Sequence, residues 1–195
     1  MDLIDMTPQE IYARFPLLQS ERLLLRDLRP QDAPAVLRIF GDDEVTRYYD
    51  LDTFTELAQA ENLIERFQQR YLNQIGIRWG IALNNAEDDL IGTCGYNIWI
   101  QGHARAVVGY DLARSMWRQG IMSEALSTVV RFGFAQMGLN RIETPIFAEN
   151  AASGHLLKKL GFRAEGTLRE YEFLKGRFVD LAMYALLQKE WQAFE

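Results

Sequence analysis

The chain has 195 residues, 48% of them apolar and 25% charged, the balance of a globular protein long enough to bury a core. That excludes a disordered tail, a collagen-like fibre and a disulfide-stapled mini-protein. With 21 basic residues against 27 acidic ones the net charge is −6, which argues against nucleic-acid binding and against docking on an anionic membrane. Cys94 is the one cysteine, so neither an internal disulfide nor a Cys/His metal set is expected. Asp2, Asp5 and Glu10 leave no basic leader at the start, and no apolar run approaches the ~18 residues of a membrane span. A cytoplasmic location is the expectation.

In chain order, Thr7-Pro8-Gln9-Glu10 predicts a capped turn of helix inside an N-terminal extension, residues 1–20. A single domain is expected over 21–195. Residues 22–28 predict a strand, and Pro30 and Asp32 open a helix carrying Val36, Leu37, Ile39 and Phe40. Gly41–Glu44 predicts a polar turn. Residues 55–73 place Leu57, Ala60, Leu63, Ile64 and Phe67 at helical spacing. Strands follow over 77–83, 90–100 and 106–113, the first two joined by a turn at Asn84–Asp89. Gly120 to Met137 predicts the longest apolar-striped helix, with Gly138 beyond its end. After a strand at 141–147, Asn150 caps a short helix that Gly161 ends. Two strands near 166–174 and 177–187 turn at Lys175-Gly176. The order gives an α/β protein with a mixed sheet and helices on both faces.

One junction carries chemistry. Where the strand ending at Ala113 turns into the helix opened by Gly120, the helix's first N–H groups and its dipole offer an anion site. A glycine there lets a phosphate approach the backbone; equally, it relieves a tight turn. Arg114 and Arg118 lie beside it, as anion ligands or as solvated surface cations.

The run Gly109-Tyr110-x-Leu112, then Trp117 through Leu126, then Glu149-Asn150-x-x-Ser153, then Lys159-Leu160-Gly161-Phe162, resembles the GCN5-related N-acetyltransferase (GNAT) superfamily. Within it the chain looks most like the ribosomal-protein N-terminal acetyltransferase branch, over about residues 21–188. The resemblance implies a mostly antiparallel sheet of six to seven strands with a splayed central pair. It implies acetyl-CoA as co-substrate and no metal. The family's phosphate loop, Gln/Arg-x-x-Gly-x-Gly/Ala, maps onto Trp117, Arg118, Gln119, Gly120, Ile121 and Met122, with Ser123 following. Trp117 and Met122 depart from that pattern, and Met122 must turn its side chain from the phosphates. Free amides at Asp111, Leu112 and Ala113 would pair with the pantetheine arm as an added strand does. Asn150 would bind the same arm, and Ser153 would lie near the thioester sulfur. A thiol titrates near ~8.5, so a hydroxyl donor eases thiolate departure. Lys158 and Lys159 are candidates for the adenosine 3′-phosphate.

The amine acceptor needs a base. Glu172, before Phe173-Leu174-Lys175-Gly176, matches the branch's general base. Alternation over 169–174 puts Glu170 on the same face as the second choice. An α-amine titrates near ~8 and a lysine near ~10.4, so one carboxylate suits the first better. The expected acceptor is an amine-bearing peptide or protein N-terminus. A small amine is the alternative, suited by acidic Asp42, Asp43, Glu44, Asp50 and Asp52, and a catalytically silent CoA-binding module is a third. Tyr96 and Asn97 are candidates for the acceptor cleft, Tyr110 is assigned to the core, and Cys94 is no nucleophile. Monomer and homodimer stay open.

Overall fold

The computed structural model describes residues 7–191. Helix α1 (Pro8–Ala13) opens on the Thr7 cap the sequence predicts, and the structure completes it as a capping box: the Glu10 amide donates to Thr7 Oγ1 at 3.3 Å, and Thr7 N donates to Glu10 Oε2 at 2.7 Å. Its Ile11 is buried in the main core. There follow β1 (Leu18–Gln19), β2 (Leu23–Arg26), α2 (Ala33–Phe40), α3 (Asp43–Thr46) and α4 (Leu57–Leu72). Then come β3 (Ile77–Leu83), β4 (Ala86–Ile100), β5 (Arg105–Leu112), α5 (Ile121–Ala135) and β6 (Arg141–Phe147). The chain continues through α6 (Ala151–Lys159), β7 (Arg163–Leu174), β8 (Arg177–Leu187) and α7 (Gln188–Trp191).

The sheet has eight strands, not six to seven, in the order β1-β2-β3-β4-β5-β6-β8-β7. The extra one is β1, whose two residues pair with Leu24 and Leu25 and are too few for an alternation to reveal. The turn after β3 is also shorter than expected, because β4 already starts at Ala86. No described helix is long and apolar enough to cross a membrane.

Alternation sorts the side chains to two faces. Trp79, Cys94 and Tyr110 are cross-strand neighbours on the face covered by α5, where Trp79 meets Phe132 edge-on at 5.5 Å. The other face packs on α2 and α4 through Val36, Ile39, Phe40, Leu63, Ile64 and Phe67. Each such fully buried side chain contributes about 1.5–3 kcal/mol of transfer free energy.

All neighbouring strands are antiparallel except β5 and β6, which are parallel and pair only over Arg105–Val107 against Arg141–Glu143. Beyond that, β5 runs on with β4 and β6 with β8, so the sheet opens. A bulge at Asn97 lies opposite Val107 and Val108, where β5 leaves β6. A bulge bends and overtwists its strand pair, which accounts for the divergence starting there.

Candidate active site

The opening between β5 and β6 is a cavity of about 850 Å³. Of the residues the sequence singled out, Asp111, Leu112, Trp117, Arg118, Gly120, Ile121, Met122, Ser123, Asn150, Ser153 and Glu172 line it together. Lys159 lines it too, and Lys158 does not.

At one end stands the N-terminus of α5. Gly120 adopts φ +77° and Arg118 φ +61°, two left-handed residues that curl the loop into a concave run of amides. The backbone N–H groups of residues 118–123 find no acceptor among the described residues, since the first helical bond is Glu124 N to Gly120 O at 3.1 Å. A built Cβ on Gly120 would meet only Arg22 Nη2, at 3.4 Å, so the space above the amides is open. Met122 lines the cavity and is also buried against the core. The loop is anchored from below. Glu124 accepts from Arg22 Nε at 2.7 Å and Ser20 Oγ at 2.7 Å, and Arg22 Nη1 donates to Gln119 O at 3.0 Å. Trp117 Nε1 donates to Leu112 O at 2.8 Å and so ties the loop to the end of β5.

Three of the sequence candidates face elsewhere. The Ala113 amide donates to Ile91 O at 2.8 Å within the sheet, so of the three amides at this strand end alternation leaves Leu112 toward the gap. Arg114 lies 3.8 Å from Asp42, and the Gln119 side chain bonds Ser115 O. The Asp111 side chain is fully engaged. It accepts from Arg78 Nη2 at 2.7 Å, from Thr93 Oγ1 at 2.5 Å and from Thr93 N at 3.1 Å. Burial raises the Asp111 carboxyl above its ordinary range, against the opposing pull of Arg78 and Thr93.

At the start of α6, Asn150 Oδ1 accepts from Ser153 N at 3.1 Å, the cap its residue type favours. Its Nδ2 has no partner among the described residues. Ser153 is buried, and its hydroxyl shares a 2.5 Å hydrogen bond with Tyr110 Oη. Burial holds the Tyr110 phenol well above its ordinary value, with Ser153 opposing, so it keeps its proton at neutral pH. Sequence alone assigns Tyr110 to the core; the structure puts its hydroxyl in the site. Its place two residues before the gap-facing Leu112, on the same side of the strand, was the available signal, but its partner lies 43 residues away.

The other wall of the cavity belongs to the α2/α4 face. Glu172 pairs with Val179, whose side chain packs with Leu181 and Phe147 beside Tyr48. The alternation expected over 169–174 is broken by a bulge between Leu168 and Glu172. Glu170 therefore sits at φ +48° with its amide on Asp180 Oδ1, outside the cavity, while Glu172 lines it. Lys175 and Gly176 turn the hairpin with positive φ at both residues, and Lys175 Nζ donates to Thr46 O at 2.5 Å, pulling the hairpin onto α3. Of the acidic loop, Glu44 and Asp50 line the cavity; Asp42 instead caps α3, accepting from Glu44 N at 2.9 Å. Asn97 lines it as well, but Tyr96 does not: its hydroxyl is buried on Val129 O at 2.7 Å, on the α5 face. Burial pushes the Cys94 thiol up to about 12, so no thiolate forms there at neutral pH. No group of three His, Cys, Asp or Glu able to hold a metal exists among the described residues.

A sequence model of the acetyltransferase (GNAT) domain matches residues 22–163. The chain belongs to the GNAT acetyltransferase family. The N-acetyltransferase YoaA of Bacillus subtilis, itself uncharacterised, is 42% identical over 174 residues, covering 89% of this chain and 98% of YoaA. The ribosomal protein uS5-alanine N-acetyltransferase of Escherichia coli is 29% identical over 106 residues, 54% of this chain and 55% of that one. The structure of RimL, a ribosomal L7/L12 α-N-protein acetyltransferase in complex with coenzyme A, superposes with a TM-score of 0.76 at 22% identity, over 88% of this chain and 98% of RimL.

As a GNAT enzyme the protein uses acetyl-CoA, and its residues fit that co-substrate. Six open amides over a glycine suit a pyrophosphate in a chain whose net charge is −6. The free edge of β5 suits an extended amide-bearing arm. Bound there, acetyl-CoA supplies an activated acyl group.

Proposed function

We propose that this enzyme acetylates the α-amino group at the N-terminus of a protein or peptide. The observation that carries the reading is Glu172, a half-buried carboxylate on the cavity wall, with the exposed Glu44 and Asp50 lining the same cavity and Asp111 already paired with Arg78. The two exposed acids draw in a cationic N-terminus. Glu172, directly or through one water, takes the proton that the attacking amine sheds. The neutral amine forms the C–N bond to the acetyl carbon as the C–S bond breaks. The Ser153–Tyr110 pair donates a hydrogen bond to the departing sulfur, which leaves as the thiolate. One carboxylate is a modest base, better matched to an amine that titrates near ~8 than to a lysine near ~10.4. A uS5-alanine acetyltransferase among the relatives supports the same acceptor class.

The test is a peptide carrying both a free α-amine and a lysine, incubated with acetyl-CoA and mapped by mass spectrometry. Acetylation at the N-terminal residue is expected, with kcat/KM rising with pH and levelling near ~8. Glu172→Gln should lower kcat/KM by about 10²–10⁴-fold without changing the melting temperature. Acetylation of the lysine, or of polyamines and aminoglycosides but no peptide, contradicts the reading.

A further inference from the structure

Asn97 is the extra residue of the β4 bulge: Tyr96 pairs with Val108 and Ile98 with Val107, which leaves Asn97 unpaired across the ladder. A bulge re-aims a side chain, and here the carboxamide is half-buried on the cavity wall. Two guanidinium groups converge on its Oδ1. Arg78 Nη1 donates at 3.2 Å and Arg70 Nη1 at 3.5 Å. A guanidinium carries donors only, so the atom facing both must be the acceptor, and the orientation of the amide is fixed by its partners. Nδ2 is then turned toward Gly109, only 2.5 Å from where a Cβ on that residue would stand. Any side chain at 109 would close this approach. Nothing among the described residues accepts from Nδ2.

A second donor stands beside it. The Tyr49 hydroxyl accepts from Arg78 Nη2 at 3.2 Å, so its own proton points elsewhere, and no described residue accepts it. Two nitrogens of one guanidinium thus hold Asn97 and Tyr49 side by side on the cavity wall. Arg78 is balanced by Asp111 at 2.7 Å, and Asp50 lies near Tyr49 and Arg70, so what distinguishes this wall is its two unsatisfied donors, not net charge. What it can receive is an oxygen acceptor. The amine belongs on the Glu172 side of the same cavity.

Resting on the α-amine reading above, we propose that Asn97 Nδ2, with the Tyr49 hydroxyl beside it, hydrogen-bonds the carbonyl oxygen of the acceptor's first residue. Asn97 is then a specificity residue that selects α-aminoacyl groups over simple alkylamines. An alkylamine occupying the site leaves both donors desolvated and unpaired, which is how a polar pocket rejects an analogue lacking its partner group.

The experiment compares an alanyl tripeptide with sec-butylamine, a branched amine without the carbonyl, the latter as substrate or as competitive inhibitor. Wild type, Asn97→Ala and Asn97→Asp are measured, with melting temperatures. The aspartate keeps an oxygen toward both guanidinium groups and replaces the donor by a charged acceptor, while the alanine removes the donor without adding charge. Each amine is referred to its own wild-type value, so differences in amine basicity cancel. In both variants the KM for the tripeptide should rise relative to the constant for sec-butylamine by about fivefold, the worth of one hydrogen bond of about 1 kcal/mol. Its kcat should stay within about twofold of wild type. A relative shift smaller than about twofold in either variant overturns the proposal. If wild type acetylates no α-aminoacyl substrate while acetylating other amines, the α-amine reading itself has failed, and this proposal with it. That failure is read from the wild type alone.

Discussion

Trp117 occupies the position where the family pattern has Gln or Arg, and its indole N–H holds the carbonyl of Leu112. The substitution thus preserves the loop by joining it to the strand before it. Tyr110 and Ser153 show what a pair can do that one residue cannot. Ser153 is a weak acid by itself, whereas the phenol hydrogen-bonded to it is held protonated by burial. In the proposed mechanism the two act as one hydrogen-bonded unit, so their losses should not add. Tyr110→Phe and Ser153→Ala should each lower kcat by about 10–100-fold, with the double variant no slower than the worse single one. Steady-state kinetics with a saturating peptide checks this; fully multiplicative losses would mean two independent roles. Asn150, Ser153 and Gly120 were legible in the sequence because caps and helix-opening glycines are local rules. The partnership of Tyr110 with Ser153 was not, because it joins a strand to a helix across the gap.

At the scale of elements, two bulges set the site. The one at Asn97 lies where β5 leaves β6, and the one before Glu172 turns Glu170 out of the cavity. Strict alternation hid both, since an inserted residue flips the face of every later residue in the strand and leaves no mark in residue type. Helix α3 was equally hidden. Four residues carry no helical period, and its capping Asp42 reads as part of an acidic turn. Strands β3, β4 and β5 are clamped on the α2/α4 face by Arg78 and Asp111, whose side chains are almost completely enclosed. Removing one partner leaves a buried charge uncompensated. Asp111→Ala should cost about 3–5 kcal/mol in a denaturant titration, and replacing both partners by apolar residues should cost less. Equal losses would mean that the pair acts by shape alone. The long helices α4 and α5 needed no such knowledge, because their apolar stripes repeat through several turns.

Across the whole molecule, the gap between β5 and β6 passes through the sheet. The phosphate loop, Ser153 and Tyr110 approach it with the α5 side, and Glu172, Asn97 and Tyr49 with the α2/α4 side. In the proposed mechanism donor and acceptor meet across the sheet, where β5 and β6 have parted. Net charge reports little about such a site: a chain at −6 binds a polyanion through oriented amides. We propose that the amides of residues 118–123 hold the phosphates, and calorimetry with coenzyme A on two variants at one position decides it. Asparagine and aspartate both tolerate the left-handed backbone of Gly120 and have the same shape. Gly120→Asp, which sets a carboxylate beside the phosphates, should weaken binding by about 100-fold relative to Gly120→Asn. Equal affinities in the two variants would mean that the phosphates lie elsewhere.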